Sequence, residues 1–207
     1  MVFPVFFIFE RIRIEPMLKI LEKHINAIVP MPAADFQELT NYVEVVSLNK
    51  KEYLQELDHY SNDQYFVLQG CLRMFTLNEK GVEMTTDFAL ENWWISDHKS
   101  LLQETKSLCA IQAVEKSAVI RMSKQNEVKI CERFPVMYAY FSAVYRKAYA
   151  AAQYRNILFK LYSKEEIYLQ FSRNFPDFMQ RVPQYLIASY LGLTPEYVSE
   201  IRKKSIS

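Results

Sequence analysis

The stretch from Arg181 to Lys204 reads RVPQYLIASYLGLTPEYVSEIRKK, and its residue types could grip and read a polyanion. Counting from Gln184, Ala188 is fifth, Gly192 ninth and Val198 fifteenth, which is the spacing of a helix-turn-helix. Ala188 must be small where the second helix crosses over it. Gly192 supplies the left-handed backbone that a tight interhelical turn needs. Leu186, Ile187, Leu191, Val198 and Ile201 offer the apolar faces that lock the two helices together. Thr194 as N-cap and Pro195 in the first turn start the second helix sharply. A helix presented in this way can enter the major groove of double-stranded DNA, its N-terminal residues meeting base edges and phosphates. Thr194, Glu196, Tyr197, Ser199 and Glu200 are then expected to face the groove, and Arg202, Lys203 and Lys204 to hold phosphates. The bland alternative is a generic helical hairpin with a glycine turn.

Other chemistry is poorly supplied. His24, His59 and His98 lack H-x-H or H-x-x-x-H spacing, so no metal site is expected, and His59 reads as a solvated loop residue. Cys71, Cys109 and Cys131 are scattered and odd in number, which argues against a disulfide scaffold and fits a reducing cytoplasm. There is no P-loop, no Rossmann glycine pattern and no G-x-S-x-G. No convergent acid, base and nucleophile can be assembled, so the chain does not read as an enzyme, and no cofactor is expected. Trp93 and Trp94 are adjacent on a strand candidate and must point to opposite faces. One is expected in the core and the other at a surface or interface.

The charge is divided along the chain. Overall Lys+Arg number 25 and Asp+Glu 24, yet residues 1–141 carry a net of −4 and residues 142–207 a net of +5. Such a dipole suggests that the C-terminal third meets nucleic acid while the acidic remainder stays away from it. Chance surface variation would look the same if the charge stood alone. The acidic part is also a candidate contact for RNA polymerase, though no motif says so.

These residues need elements to position them. The length of 207 residues suits one large domain or two small ones. Residues 1–16 form an apolar extension, and Val2–Phe9 is too short to cross a bilayer core of roughly 20 residues. That stretch either packs on the body, or translation starts at Met17. From Met17 to Val29, Leu18, Leu21, Ile25 and Ile28 mark a helix with one buried stripe. A shorter helix is expected at 35–42. Strand candidates follow at 64–69, 72–77, 82–88, 107–114 and 118–122, with Gly70 and Gly81 at hairpin turns. Six to eight short antiparallel strands make a roll or jelly roll over 17–134, so the class is α+β.

After Ser123, an expected N-cap, the chain turns helical. A long helix over 135–162 carries Met137, Phe141, Val144, Ala148, Ala151 and Leu158 at coiled-coil-like spacing. It is expected to be the spine of a homodimer, with packing on the roll as the alternative. Ser163 and Glu166 form a capping box that opens the 163–207 segment holding the helix-turn-helix.

From Met17 to Lys204 this order resembles the Crp/Fnr family of transcription regulators, and in particular the cyclic-nucleotide-binding-like branch common in Bacteroidetes. The residues that carry it are Tyr65-Phe-Val-Leu-Gln-Gly-Cys-Leu-Arg73, Glu91-Asn-Trp-Trp-Ile-Ser-Asp97 and Ile187-Ala-Ser-Tyr-Leu-Gly-Leu-Thr-Pro-Glu196. The resemblance implies a cyclic-nucleotide-binding-like roll, a homodimer joined along the long helix, and DNA-binding heads. It also implies an effector pocket, for which Glu91, Lys106 and Ser107 are the candidates.

This chain departs from the family around the cyclic phosphate. Family members place a Gly-Glu pair and an Arg-Ser or Arg-Thr pair there; the corresponding stretches here read Phe88-Ala-Leu-Glu91 and Glu104-Thr-Lys-Ser107. Lysine is an imperfect substitute for a bidentate arginine. Cyclic AMP is therefore not expected as the ligand, and a small-ligand sensor with weak or lost DNA binding is the alternative reading. Relatives also carry arginine where this chain has Glu200, which would either accept from cytosine N4 or repel phosphate. With Ser207 the last residue, no β-hairpin wing is expected after the second helix.

Overall fold

The computed structural model describes residues 5–206, with side chains from 15 to 204. Helix α1 (Val5–Asn26) and α2 (Ala33–Leu39) precede a short 3-10 turn at Thr40–Tyr42. Then come strands β1 (Glu44–Leu48), β2 (Tyr53–Gln55), β3 (Asp63–Gln69), β4 (Leu72–Leu77), β5 (Glu83–Ala89) and β6 (Trp94–Ile95). Helix α3 (His98–Gln103) leads to β7 (Ala110–Ala113) and β8 (Ser117–Ser123). The remainder is helical: α4 (Lys124–Arg133), α5 (Val136–Leu161), α6 (Lys164–Asn174), α7 (Pro176–Arg181), α8 (Gln184–Tyr190) and α9 (Pro195–Ile206).

The strands form two four-stranded antiparallel sheets, in the orders β1-β8-β3-β6 and β2-β7-β4-β5. β3 and β8 are central, and their middles, Tyr65–Leu68 and Ala118–Ile120, are buried on both faces and apolar throughout. Side chains alternate across each strand. On β3, Tyr65 and Val67 turn into the space between the sheets, with Leu72, Ile111 and Val119. Phe66 and Leu68 turn outward, with Ile120 and Met122 of β8, under α1, α2, α4 and α5. Trp94 lies in this outer layer, its ring 5.3 Å from Phe66 and its Nε1 donating to the Tyr140 hydroxyl at 3.0 Å. Trp93 is exposed.

Local signals account for the edges of these elements. Gly70 (φ +99°) and Gly81 (φ +74°) occupy the β3–β4 and β4–β5 turns with the positive φ that glycine tolerates. Ser123 caps α4 by accepting from Asn126 N at 3.1 Å, and the Ser163–Glu166 capping box opens α6.

Several expectations need correction. Helix α1 starts at Val5 rather than Met17 and runs through Pro16; the packing of Val2–Phe9 falls on residues or side chains outside those described. Leu21 and Ile25 form the buried stripe, but Ile28 lies past the helix end and is exposed. The strand expected at 107–114 shrinks to Ala110–Ala113: Cys109 N donates to the Ser107 hydroxyl at 3.0 Å instead of to a neighbouring strand, and the Ser107 backbone pairs separately with Asp58 and His59.

The long helix divides in two. Met137 and Phe141 are 2% and 4% exposed within the single chain, buried with Tyr140 in the layer over β3 and β8, and Val144 is half-buried against it. Each fully buried side chain of this size contributes about 1.5–3 kcal/mol, so this half of α5 is committed to its own roll. Met137 and Phe141 are therefore taken up by the chain's own roll, and Val144 keeps only part of its surface for a second helix. Beyond Ala148 the helix leaves the roll: Ala148 and Ala151 are exposed and Leu158 half-buried. A neighbouring stripe, Ala143, Ala150, Tyr154, Ile157 and Leu161, also keeps heptad-compatible spacing and is exposed from Ala150 onward.

Candidate nucleic-acid interface

The C-terminal helices build a head around Ile167, Phe178, Leu186, Ile187, Ala188, Leu191, Val198 and Ile201. Ala188 has no exposed surface where α8 meets the turn, and its carbonyl accepts from Leu193 N at 2.8 Å. Gly192 has φ +67°, and its carbonyl accepts from Lys164 Nζ at 2.9 Å, tying the turn to the start of α6. Thr194 caps α9, its Oγ1 accepting from Tyr197 N at 3.2 Å.

Helix α9 separates the predicted groove residues. Val198 and Ile201 face the head core. Glu196, Ser199, Glu200 and Lys203 recur at i, i+3, i+4 and i+7, and all four are exposed, so they form one outward face. Thr194 is exposed at its N-terminal end, and the Ser199 hydroxyl donates to the Pro195 carbonyl at 2.9 Å. Tyr197 departs from expectation: it is half-buried and packs on the head core, because its position on the helix lies next to Ile201 rather than on the outward face. Arg202 is exposed and donates through Nη1 to Gln184 Oε1 at the start of α8, at 3.3 Å. Lys203 and Lys204 are exposed in the last turns, where positive charge also complements the helix dipole. The outward face thus carries two carboxylates and one ammonium, with Arg202 and Lys204 flanking it.

The candidate effector residues do not converge. Glu91 faces the head: its Oε1 accepts from Gly70 N at 2.8 Å, and Arg181 of α7 donates to both of its oxygens at 2.9 and 2.6 Å. Burial would raise the Glu91 pKa, but the hydrogen bonds from Arg181 and the backbone outweigh it and hold the carboxyl below its ordinary range. Lys106 is exposed and pairs with Asp58 at 3.0 Å. Ser107 is buried, receives Gln55 Nε2 at 2.6 Å and donates to Asp97 Oδ2 at 2.6 Å. The other oxygen of Asp97 caps α3, accepting from Lys99 N and Ser100 N. Ser107 is thus held by the protein's own Asp97 carboxylate. Sequence reasoning missed Asp97, although an Asp just before a short helix is a recognisable N-cap signal. Surface concavities of about 380 and 340 Å³ lie near Asp63, and neither is lined by Glu91, Lys106 or Ser107.

Among the described residues no group of three or more His, Cys, Asp or Glu could hold a metal. Burial pushes the Cys71 thiol up to about 12 and the Cys131 thiol up to about 11, well away from thiolate chemistry at neutral pH. Among the described residues no helix is long and apolar enough to cross a membrane.

No family model and no curated protein matches this sequence. Solved structures do match its fold. A candidate transcriptional regulator of the Crp/Fnr family from Eubacterium rectale aligns with a TM-score of 0.65 at 13% identity, covering 84% of this chain and 83% of its own. FixK2 from Bradyrhizobium japonicum aligns with a TM-score of 0.64 at 18% identity, covering 78% and 83%. The catabolite activator protein of Thermus thermophilus aligns with a TM-score of 0.51 at 16% identity, covering 84% and 83%. With its two-sheet roll, long helix and helix-turn-helix head in this order, the chain has the fold of the Crp/Fnr-type transcriptional regulators.

Proposed function

We propose that this protein is a sequence-specific DNA-binding transcription regulator of the Crp/Fnr type, working as a cytoplasmic homodimer without response to cyclic AMP. The observation that carries the reading is the helix-turn-helix itself: Ala188 buried at the crossing, Gly192 in the left-handed turn, and α9 presenting Glu196, Ser199, Glu200 and Lys203 outward. Arg202, Lys203 and Lys204 supply the phosphate contacts, and the acidic N-terminal two-thirds is the side offered to RNA polymerase. Independence from cyclic AMP is supported by Asp97, whose carboxylate holds both the α3 N-terminus and Ser107, and by the engagement of Lys106 with Asp58. The test is selection from a random duplex library at moderate salt. An inverted repeat with half-sites about one helical turn apart (~34 Å) is expected, and affinity should fall with salt at a log–log slope of about −0.9 per phosphate neutralised. Absence of any enriched duplex would overturn the reading.

Glu200 stands on the outward face beside a polyanion. Glu200→Gln is expected to tighten binding to any duplex about fivefold per head, near 1 kcal/mol for each like-charge contact in water, and so roughly 25-fold for the dimer. Fluorescence anisotropy on an unrelated duplex checks this. Unchanged or weaker binding would mean that Glu200 does not oppose phosphate.

The dimer seam is assigned to Ala150, Tyr154, Ile157 and Leu161. Tyr154, Ile157 and Leu161 are 63%, 50% and 69% exposed in the single chain, which is costly unless a second helix covers them. Tyr154→Asp with Leu161→Asp is expected to turn a dimer into a monomer in sedimentation, with the circular dichroism of the roll unchanged.

A further inference from the structure

The head is fastened to its own roll along β5, the edge strand of the second sheet. Ser189 of α8 accepts from Thr85 N at 2.9 Å and donates to the Glu83 carbonyl at 3.2 Å, satisfying edge groups that would otherwise be left to solvent. Beside them the Phe88 ring lies 5.0 Å from Phe178 and 5.3 Å from Tyr190, and Cys71 and Val114 join the same apolar cluster.

Two arginines close this contact. Arg181 of α7 takes both oxygens of Glu91 and, through Nε at 2.7 Å, Glu115 in the β7–β8 turn. Glu91 is in turn fixed by Gly70 N in the β3–β4 turn, so one guanidinium joins the head to three loops of the roll. Arg155 of α5 donates to Asp87 of β5 at 3.1 Å and to the Tyr190 hydroxyl of α8 at 2.8 Å. It therefore joins the long helix, the roll and the head at one point. The docked surface is made by α7 and the C-terminal end of α8, whereas the outward face of α9 stays exposed. Docking therefore leaves Glu196, Ser199, Glu200 and Lys203 uncovered.

Resting on the DNA-binding reading above, we infer that Arg181 and Arg155 form an internal latch that sets the orientation of the head without a small-molecule effector, and that Arg155 couples the head to the long helix. Fork-shaped bidentate pairing gives direction as well as attachment. Fixing the head in advance removes an ordering cost from binding. Truncating either arginine leaves partly buried carboxylates uncompensated on the roll side.

The test uses the full-length protein and its Arg181→Gln and Arg155→Gln variants, measured first by hydrogen exchange without DNA. Protection in residues 83–89 and in α8 is expected to fall at least tenfold in each variant, with β3 and β8 unchanged. Affinity for the selected inverted repeat is expected to fall about tenfold, while binding to an unrelated duplex stays the same. Unchanged exchange in both variants would overturn the latch. Tighter binding to the repeat would overturn its role as an orienting device and make it inhibitory. If the unaltered protein selects no duplex, the DNA reading fails, and the exchange measurement still decides whether the latch exists.

Discussion

Gly70→Ala is expected to destabilise the protein by about 2–6 kcal/mol, a large fraction of the roughly 5–15 kcal/mol that holds an ordinary domain together. Gly70 has φ +99°, and a Cβ there would lie 2.2 Å from Ser117 Oγ and 2.7 Å from Ser117 Cα. The hydroxyl can rotate away, but the Ser117 backbone cannot move freely, because it is paired with Leu48 in the first sheet. A side chain held in a sparsely populated backbone region costs about 1–3 kcal/mol, and forcing atoms into a packed site costs about 1–3 more. Urea unfolding followed by tryptophan fluorescence measures the change. Gly81→Ala is the control: φ is +74°, nothing lies within 4 Å of the added Cβ, and only about 1–2 kcal/mol is expected. Equal losses in the two variants would show that the β3–β4 turn relaxes around the new methyl.

Ala188→Leu is expected to abolish operator binding while leaving the roll folded. Ala188 has no exposed surface and shares a cluster with Ile187, Val198 and Ile201. Three further carbons must displace α9 or break the turn held by the Ala188 carbonyl and Leu193 N. Overpacking costs about 1–3 kcal/mol even in cores that adapt, and this one is built from helices of 6 to 12 residues. No binding should be detected by anisotropy up to micromolar protein, and near-ultraviolet dichroism of the roll should persist. Ala188→Gly, which leaves the crossing open at a propensity cost of about 1 kcal/mol, should retain binding. Binding by the leucine variant at native affinity would show that α9 is not positioned by this crossing.

The helix-turn-helix was legible because its constraints are local. A small residue under a crossing, a glycine at positive φ and a Thr-Pro helix start each act within a few residues, and Ala188, Gly192 and Thr194 all take those positions. The hairpin turns at Gly70 and Gly81 were legible for the same reason. Strands β1, β2 and β6 were harder: they are 5, 3 and 2 residues long and defined by pairing to distant partners rather than by their own alternation. Tyr197 shows the limit inside the motif, since one step around the helix decides between the outward face and the core.

The long helix shows the limit more plainly. It carries two apolar stripes, Met137-Phe141-Val144 and Ala150-Tyr154-Ile157-Leu161, and periodicity alone gives no reason to prefer either as the dimer seam. The roll takes the first stripe and leaves the second exposed. The same holds for Glu91, whose partner Arg181 lies 90 residues away and meets it only because the head docks on β5. By itself the sequence determined the order of the larger blocks, the glycine turns and the helix-turn-helix geometry, because backbone φ limits, caps and helical period act over a few residues. Which stripe stays exposed and which acid meets which arginine were decided by sheet register and head docking, long-range contacts that no local pattern encodes.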